Sequence, residues 1–179
     1  MKIKKIFVGL LFTNCYIIFS GKESMVVDPG DEAEKILAEI KKRKVRLKYI
    51  ILTHYHFDHV SAAEKLKKET GARVLAHRAE KMFLEFLVDQ YLKDGDKIKI
   101  GDEFLKVVHT PGHTKGSFCL LGKNFIFTGD TIFKNGYGRT DLPGGSEKDL
   151  ENSLEKLAKI LKPGMMVYPG HGEIFKYKK

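Results

Sequence analysis

Cysteine, asparagine and glutamine are scarce in this chain of 179 residues. Its two cysteines, Cys15 and Cys119, each stand within an apolar run, which predicts buried packing side chains and argues against a disulfide framework or a cysteine metal site. Such thiols fit a reducing compartment, and we expect a cytoplasmic location. The shortage of asparagine and glutamine beside abundant lysine and glutamate is a composition expected of a thermophile.

Long apolar runs are also missing, and their absence argues against a membrane protein. The apolar stretch at residues 1–20 begins with lysines, as a signal peptide does. It is interrupted by Thr13 and Asn14, however, and it contains no small-residue cleavage motif. We interpret it instead as two strands that join near Gly9.

No internal repeat, low-complexity segment or linker divides the sequence. With 42% hydrophobic residues, residues 1–179 are predicted to form one globular domain. The net charge of +9 at pH 7 could indicate a nucleic-acid partner. Because the lysines lie beside glutamates on predicted helix faces and form no single basic stripe, no nucleic acid is expected.

Hydrophobic periodicity and turn residues predict three strands at the start of the chain, followed by a mixture of helices and strands. The predicted helices are 31–44, 60–71, 78–92 and 146–161, the last with Ser146 as its N-cap. The predicted later strands are 47–53, 72–77, 96–100, 103–110, 117–122, 124–129 and the start of 165–172. This order fits a sheet sandwich flanked by helices better than a doubly wound parallel sheet.

A set of histidines and aspartates follows the predicted strands, at positions from which side chains can project into a cleft. Four of them lie in the segment HYHFDH, namely His54, His56, Asp58 and His59. Three more follow later strands beside glycines, namely His113, Asp130 and His171. Each residue alone is ordinary, but together they form a set in which every member is a ligand type for divalent metals.

Side-chain direction suggests how these residues could serve two neighbouring metals. His54 and His56 point the same way in an extended segment, and His113 would complete the first site. The expected ligands of the second metal are Asp58, His59 and His171. Asp130 is the natural bridge, because a carboxylate has two oxygens. Each metal would keep an open position for a shared water.

The motif H-x-H-x-D-H, followed by GHT, GDT and GHG, resembles the metallo-β-lactamase superfamily over nearly the whole chain. The resemblance implies an α+β fold, a four-layer αββα sandwich of two mixed β-sheets flanked by helices, with the same seven ligands at one edge. Within the superfamily, the segments TNCYII and TGDTIFKNGYGRTDLPGG are most similar to glyoxalase II-like thioester hydrolases. We expect no counterpart of the additional C-terminal helical region with which those enzymes hold glutathione.

This resemblance implies a dinuclear metal-dependent hydrolase of thioesters or esters, with S-lactoylglutathione as a candidate substrate. The expected nucleophile is a hydroxide between two divalent ions, with zinc favoured and iron or manganese open. Asp58 would orient it, and Arg139 would bind an anionic part of the substrate or else pair with Asp141. Asp28 is expected to be structural. Thr53, Thr114 and Ser117 stand beside the candidate ligands and are expected to orient them through hydrogen bonds.

Three other functions stay open at this stage. A mononuclear iron persulfide dioxygenase of the same superfamily would use His54, His113 and Asp130. An RNase Z-type nuclease shares the ligand set, but the chain has no evident RNA-binding insertion. A non-catalytic metal-binding domain is disfavoured, because structural sites are usually closed by four ligands. The expected partner is a small thioester or ester, with no membrane, and no oligomeric state is predicted.

Overall fold

A computed structural model describes residues 1–178 of the chain. The helices are α1 (Ala33–Lys42), α2 (Phe57–Val60), α3 (Ala63–Thr70) and α4 (Glu147–Ile160), together with one turn of 3-10 helix at Arg78–Glu80. The strands are β1 (Lys2–Val8), β2 (Thr13–Ser20), β3 (Glu23–Val27), β4 (Arg46–Ile51), β5 (Arg73–His77), β6 (Gln90–Leu92), β7 (Lys97–Ile100), β8 (Glu103–His109), β9 (Phe118–Leu121), β10 (Phe125–Gly129), β11 (Ile132–Phe133), β12 (Gly136–Tyr137), β13 (Met166–Pro169) and β14 (Phe175–Lys176).

The strands form two six-stranded mixed sheets and one small hairpin, β11-β12. The first sheet has the order β1-β2-β3-β4-β5-β6, in which the last three pairings are parallel. The second sheet has the order β14-β13-β10-β9-β8-β7, in which only the β10–β13 pairing is parallel. Helices cover the outer face of each sheet, so the predicted four-layer αββα sandwich is confirmed.

Alternating side chains explain why each sheet packs on both faces. On β2, Tyr16 faces the second sheet, while Ile17 packs in the layer that contains α1 and α3. On β8, Val107 faces the first sheet and Val108 packs against α4. Both cysteines are free and buried, as predicted. No helix within residues 1–178 is long and apolar enough to cross a membrane.

The predicted helix at 78–92 is wrong. Only Arg78–Glu80 is helical, and the segment ends in β6, which pairs with β5. Its apolar residues do not share one face: Val88 is buried, whereas Met82 and Leu87 are 92% and 72% exposed. The buried carboxylate of Glu80 and the pairing of β6 hold this segment, so tertiary contacts override its local helical pattern.

The carboxyl ends of two parallel strand pairs bring the histidines and aspartates to one edge of the sandwich. Asp28 follows β3 and His54 follows β4, and these strands are parallel neighbours. Asp130 follows β10 and His171 follows β13, which are parallel in the other sheet. The backbone N–H of Phe118 donates to the Thr53 carbonyl at 3.1 Å and so joins the two sheets at this edge.

Candidate metal centre

The first group of side chains consists of His54, His56 and His113. Their ligand atoms all lie within 4.8 Å of one another. The Nε2 atom of each ring is buried and has no hydrogen-bond partner among the described residues. Three unpaired nitrogens buried together cost free energy. A cation bound between them would remove that cost, so the group fits a divalent metal.

Hydrogen bonds on the opposite side of two rings aim the Nε2 atoms at this common point. Thr53 Oγ1 donates to Asp28 Oδ2 at 2.7 Å, so His54 Nδ1 donates to Thr53 Oγ1 at 3.1 Å. His113 Nδ1 donates to the Arg139 carbonyl at 2.7 Å. In both rings the proton therefore sits on Nδ1 and the lone pair on Nε2, which is the tautomer that a metal requires there.

Burial also keeps these three rings neutral. It lowers the pKa of His54 well below the usual range, and the neighbouring imidazoles lower it further. Burial lowers the pKa of His56 to about 4 and shifts the pKa of His113 in the same direction. Metal ligation needs a neutral imidazole, so this group needs no deprotonation at neutral pH.

The second group consists of Asp58, His59 and His171. Asp58 and His59 are consecutive residues of α2, and His171 lies in the turn after β13. Asp58 Oδ2 lies 3.4 Å from His59 Nε2 and 3.1 Å from His171 Nε2, and the two Nε2 atoms are 3.2 Å apart. Thr13 Oγ1 donates to the same carboxylate oxygen at 2.8 Å.

Asp130 lies between the two groups. Its Oδ1 is 3.5 Å from His59 Nε2, and its Oδ2 is 3.7 Å from His113 Nε2 and 3.5 Å from His171 Nε2. Oδ1 is also buried without a hydrogen-bond partner among residues 1–178. The carboxylate is therefore within reach of ions in either group.

The acids change the protonation of the second group. Burial lowers the pKa of His59, but Asp130, Asp28 and Asp58 outweigh it and raise that pKa to about 9. The pKa of His171 is also raised: burial opposes the rise, and the hydrogen bond to Asp58 drives it. Without a metal, protons thus balance the carboxylates of this group. A bound cation would displace them.

Asp28 and the three hydroxyl residues that the sequence indicated differ in whether they contact a candidate ligand. Asp28 accepts from Thr53 N at 2.8 Å, and its Oδ2 lies 3.1 Å from His59 Nδ1, so it supports a candidate ligand. Thr114 and Ser117 hydrogen-bond to each other, and Thr114 also bonds to Glu80. They contact no candidate ligand side chain through a hydrogen bond within the described chain.

Two polar residues that the sequence did not indicate, Asn14 and Glu80, connect the segments around the site. Asn14 Nδ2 donates to the carbonyls of Pro169 and Gly172, at 2.9 and 3.0 Å, and so ties β2 to the turn that carries His171. Its position at the start of a buried and otherwise mostly apolar strand was a usable signal. Glu80 was missed because it lay in a predicted helix, where a charged residue is expected to face solvent.

Arg139 is exposed and forms a bidentate ion pair with Asp141, with its Nε and one terminal nitrogen at 2.7 and 2.6 Å from the carboxylate. This is the brace that the sequence allowed as the alternative to substrate binding. An open cleft of about 470 Å³ lies nearby, beside His171, and is lined by the β11–β12 hairpin.

Gly170 provides a first test of the site. A Cβ at this position would overlap Asp130 Oδ1 and lie 2.7 Å from His59 Cε1. We expect Gly170→Ala to weaken metal binding by about 10–100-fold, the loss typical when the groups that orient metal ligands are altered. Metal content after dialysis is the measurement. Gly136→Ala is the control, because a Cβ there meets nothing within 4 Å; equal metal content in the two variants would contradict the assignment.

The chain is similar to known proteins over most of its length. The profile of the metallo-beta-lactamase superfamily matches residues 8–171. The probable polyketide biosynthesis zinc-dependent hydrolase BaeB of Bacillus velezensis is 37% identical over 161 residues, which cover 88% of this chain and 72% of that protein. The hydroxyacylglutathione hydrolase GloC of Haemophilus influenzae is 32% identical over 193 residues, which cover 96% and 91%.

Solved structures extend the likeness to the fold. TTHA1623 in a di-iron-bound form has a TM-score of 0.87 and 30% identity, with 97% of this chain and 94% of that chain covered. The profile match begins at the end of β1 and extends to His171, so it includes every strand end that carries a candidate ligand. The chain belongs to the metallo-beta-lactamase superfamily.

Proposed function

We propose that the protein is a metal-dependent hydrolase that cleaves thioesters or related esters with two divalent ions. The observation that carries this proposal is the pair of adjoining ligand groups with Asp130 between them. The similarity to a zinc-dependent hydrolase and to a hydroxyacylglutathione hydrolase supports the reaction class. Thioesters of the S-lactoylglutathione type are the substrates to test first.

Each group of side chains would hold one ion. The proposed ligands of the first ion are His54, His56 and His113, and those of the second are Asp58, His59 and His171, with Asp130 shared. Imidazole and carboxylate ligands suit zinc, iron and manganese. We favour zinc because BaeB is described as zinc-dependent, while the di-iron form of TTHA1623 keeps iron in consideration.

The chain's own residues would position the reactants. Two divalent ions bound here would lower the pKa of water to about 7 and would stabilise the negative charge on the carbonyl oxygen of the substrate. Asp58 lies beside His59 and His171 and accepts a hydrogen bond from the Thr13 hydroxyl. Its carboxylate would orient the attacking water. The reaction needs no serine or cysteine nucleophile, and both cysteines are buried away from solvent.

Metal analysis combined with a thioester-hydrolysis screen tests this proposal on protein purified without added metal. We expect about two ions per chain after saturation and hydrolysis of a thioester that chelation abolishes and added zinc restores. One iron per chain, together with oxygen consumption in the presence of glutathione persulfide, would favour the dioxygenase. Metal binding without turnover of any thioester or ester would favour a binding domain.

Arg139→Ala separates substrate binding from bracing. If the guanidinium binds an anionic group, its loss should raise KM for acidic thioesters about tenfold or more and leave KM for neutral esters nearly unchanged. Asp141→Ala is the matched variant, because it breaks the same ion pair but keeps the cation. Should the two variants behave alike toward both substrates, Arg139 is a brace and not a substrate ligand.

A further inference from the structure

Glu80 is a fully buried acidic side chain that belongs to neither group of candidate ligands. It ends the 3-10 helix that follows β5. No lysine or arginine in residues 1–178 forms an ion pair with it. A buried carboxylate costs free energy unless hydrogen bonds compensate it. The hydrogen-bond donors to the Glu80 carboxylate therefore explain how it can be buried.

Three donors converge on this carboxylate, and they come from the two segments that carry the first histidine group. Oε2 accepts from the backbone N–H of Tyr55 at 2.8 Å. Oε1 accepts from Thr114 Oγ1 at 3.1 Å and from the backbone N–H of Gly116. Tyr55 lies between His54 and His56, and Thr114 directly follows His113 in the sequence. One side chain thus connects both halves of the group.

The residues around Glu80 strengthen this connection. A Cβ at Gly116 would overlap the Glu80 carboxyl group, so the backbone there approaches as closely as glycine allows. Just before Glu80, His77 stacks on His109 with ring centroids 4.1 Å apart. His109 Nε2 donates in turn to the Lys115 carbonyl at 3.0 Å. Segment 77–80 is therefore attached to the His113 loop at two points.

Phe83, which follows Glu80 in the chain, attaches the same segment to the half of the group that contains His54 and His56. Phe83 stacks on the Tyr55 ring, with centroids 4.2 Å apart and an angle of 15° between the planes. Tyr55 Oη also donates to the Pro143 carbonyl at 2.6 Å. Neither half of the histidine group can thus shift relative to the other without breaking bonds to segment 77–83.

We propose that Glu80 is a positioning residue for metal binding: its carboxylate sets the spacing between the His54–His56 segment and His113, so that three Nε2 atoms meet at one point. This inference rests on the proposed ligand role of those histidines. The competing interpretation is that Glu80 only stabilises the fold. The two interpretations predict different metal affinities for a Glu80 variant and for a control variant of equal thermal stability.

Two substitutions alter the connection in different ways. Glu80→Gln keeps the shape but replaces one acceptor oxygen with an NH2 group. In either orientation of the amide, one backbone N–H, of Tyr55 or of Gly116, loses its acceptor. Glu80→Asp keeps the charge but is one methylene shorter, so it cannot reach both segments. Thr114→Val removes one of the three donors and is the milder variant.

The control is Leu66→Ala in α3. Leu66 is fully buried in the outer core layer, and its truncation removes packing without touching Glu80 or a candidate ligand. We expect this variant to lower the melting temperature as much as, or more than, Glu80→Gln, because truncation of a fully buried leucine removes packing and leaves a cavity. Its metal affinity should equal that of the unaltered protein.

The experiment is a titration of each metal-free full-length variant with Co²⁺ alone, followed by visible absorption, with thermal unfolding measured in parallel. Glu80→Gln and Glu80→Asp should raise the Kd of the Co²⁺ ion held by the His54, His56 and His113 group by about 10–100-fold and should change the absorption bands of that ion. Thr114→Val should cause a smaller rise in the same Kd. Bands and Kd values equal to those of Leu66→Ala would overturn the positioning role. A failure of the unaltered protein to bind Co²⁺ would instead overturn the proposed metal site itself.

Discussion

Asp130→Ala is expected to abolish thioester hydrolysis and to lower the metal content of both ligand groups. The reason is its central position: its two oxygens lie 3.5–3.7 Å from nitrogens of His59, His113 and His171. The fold should persist, because Asp130 stands in a turn after β10 at the edge of the sandwich and is not part of an apolar core layer. Metal analysis, circular dichroism and the hydrolysis rate measure the three effects.

His171→Ala is the matched comparison for this variant. His171 belongs only to the second group and its side chain is 28% exposed. Its loss should therefore leave one ion per chain and a residual rate. If Asp130→Ala and His171→Ala retain equal metal content and similar activity, Asp130 is not shared between the ions, and the proposed ligand assignment is wrong.

Asp58→Asn is expected to lower kcat by about 10²–10⁴-fold, the range for loss of a positioned acid–base group. The amide keeps an oxygen that can ligate a metal but lacks the charge that orients and accepts a proton from water. KM should change little, since Asp58 is placed to act on the water and not on the rest of the substrate. The measurement is steady-state kinetics at matched metal content.

Thr13→Val is the control for Asp58. It removes the hydroxyl that donates to Asp58 Oδ2 at 2.8 Å but leaves the carboxylate itself. Its effect on kcat should be much smaller than that of Asp58→Asn. A loss in Asp58→Asn that vanishes at saturating metal would mean that Asp58 acts only as a ligand, and equal losses in the two variants would contradict a specific role of the carboxylate charge.

Local patterns predicted most of the fold because burial and turns leave a direct mark on the sequence. The alternation of Tyr16 and Ile17 reflects a strand covered on both faces, and Ser146 caps α4 by accepting from Asp149 N at 3.2 Å. The helix predicted at 78–92 failed because the segment is held by contacts with distant parts of the chain. A periodicity argument does not contain those contacts.

The sequence by itself predicted the sheet sandwich and indicated the candidate ligands and their division into two groups, because the segment HYHFDH and the residues His113, Asp130 and His171 each follow a buried strand in the chain. Only the tertiary structure decided what surrounds them. The distances of Asp130 to both groups and the three bonds to Glu80 depend on how separate segments pack. Such contacts join residues as far apart as Asn14 and Pro169, and no local pattern encodes the distance between them.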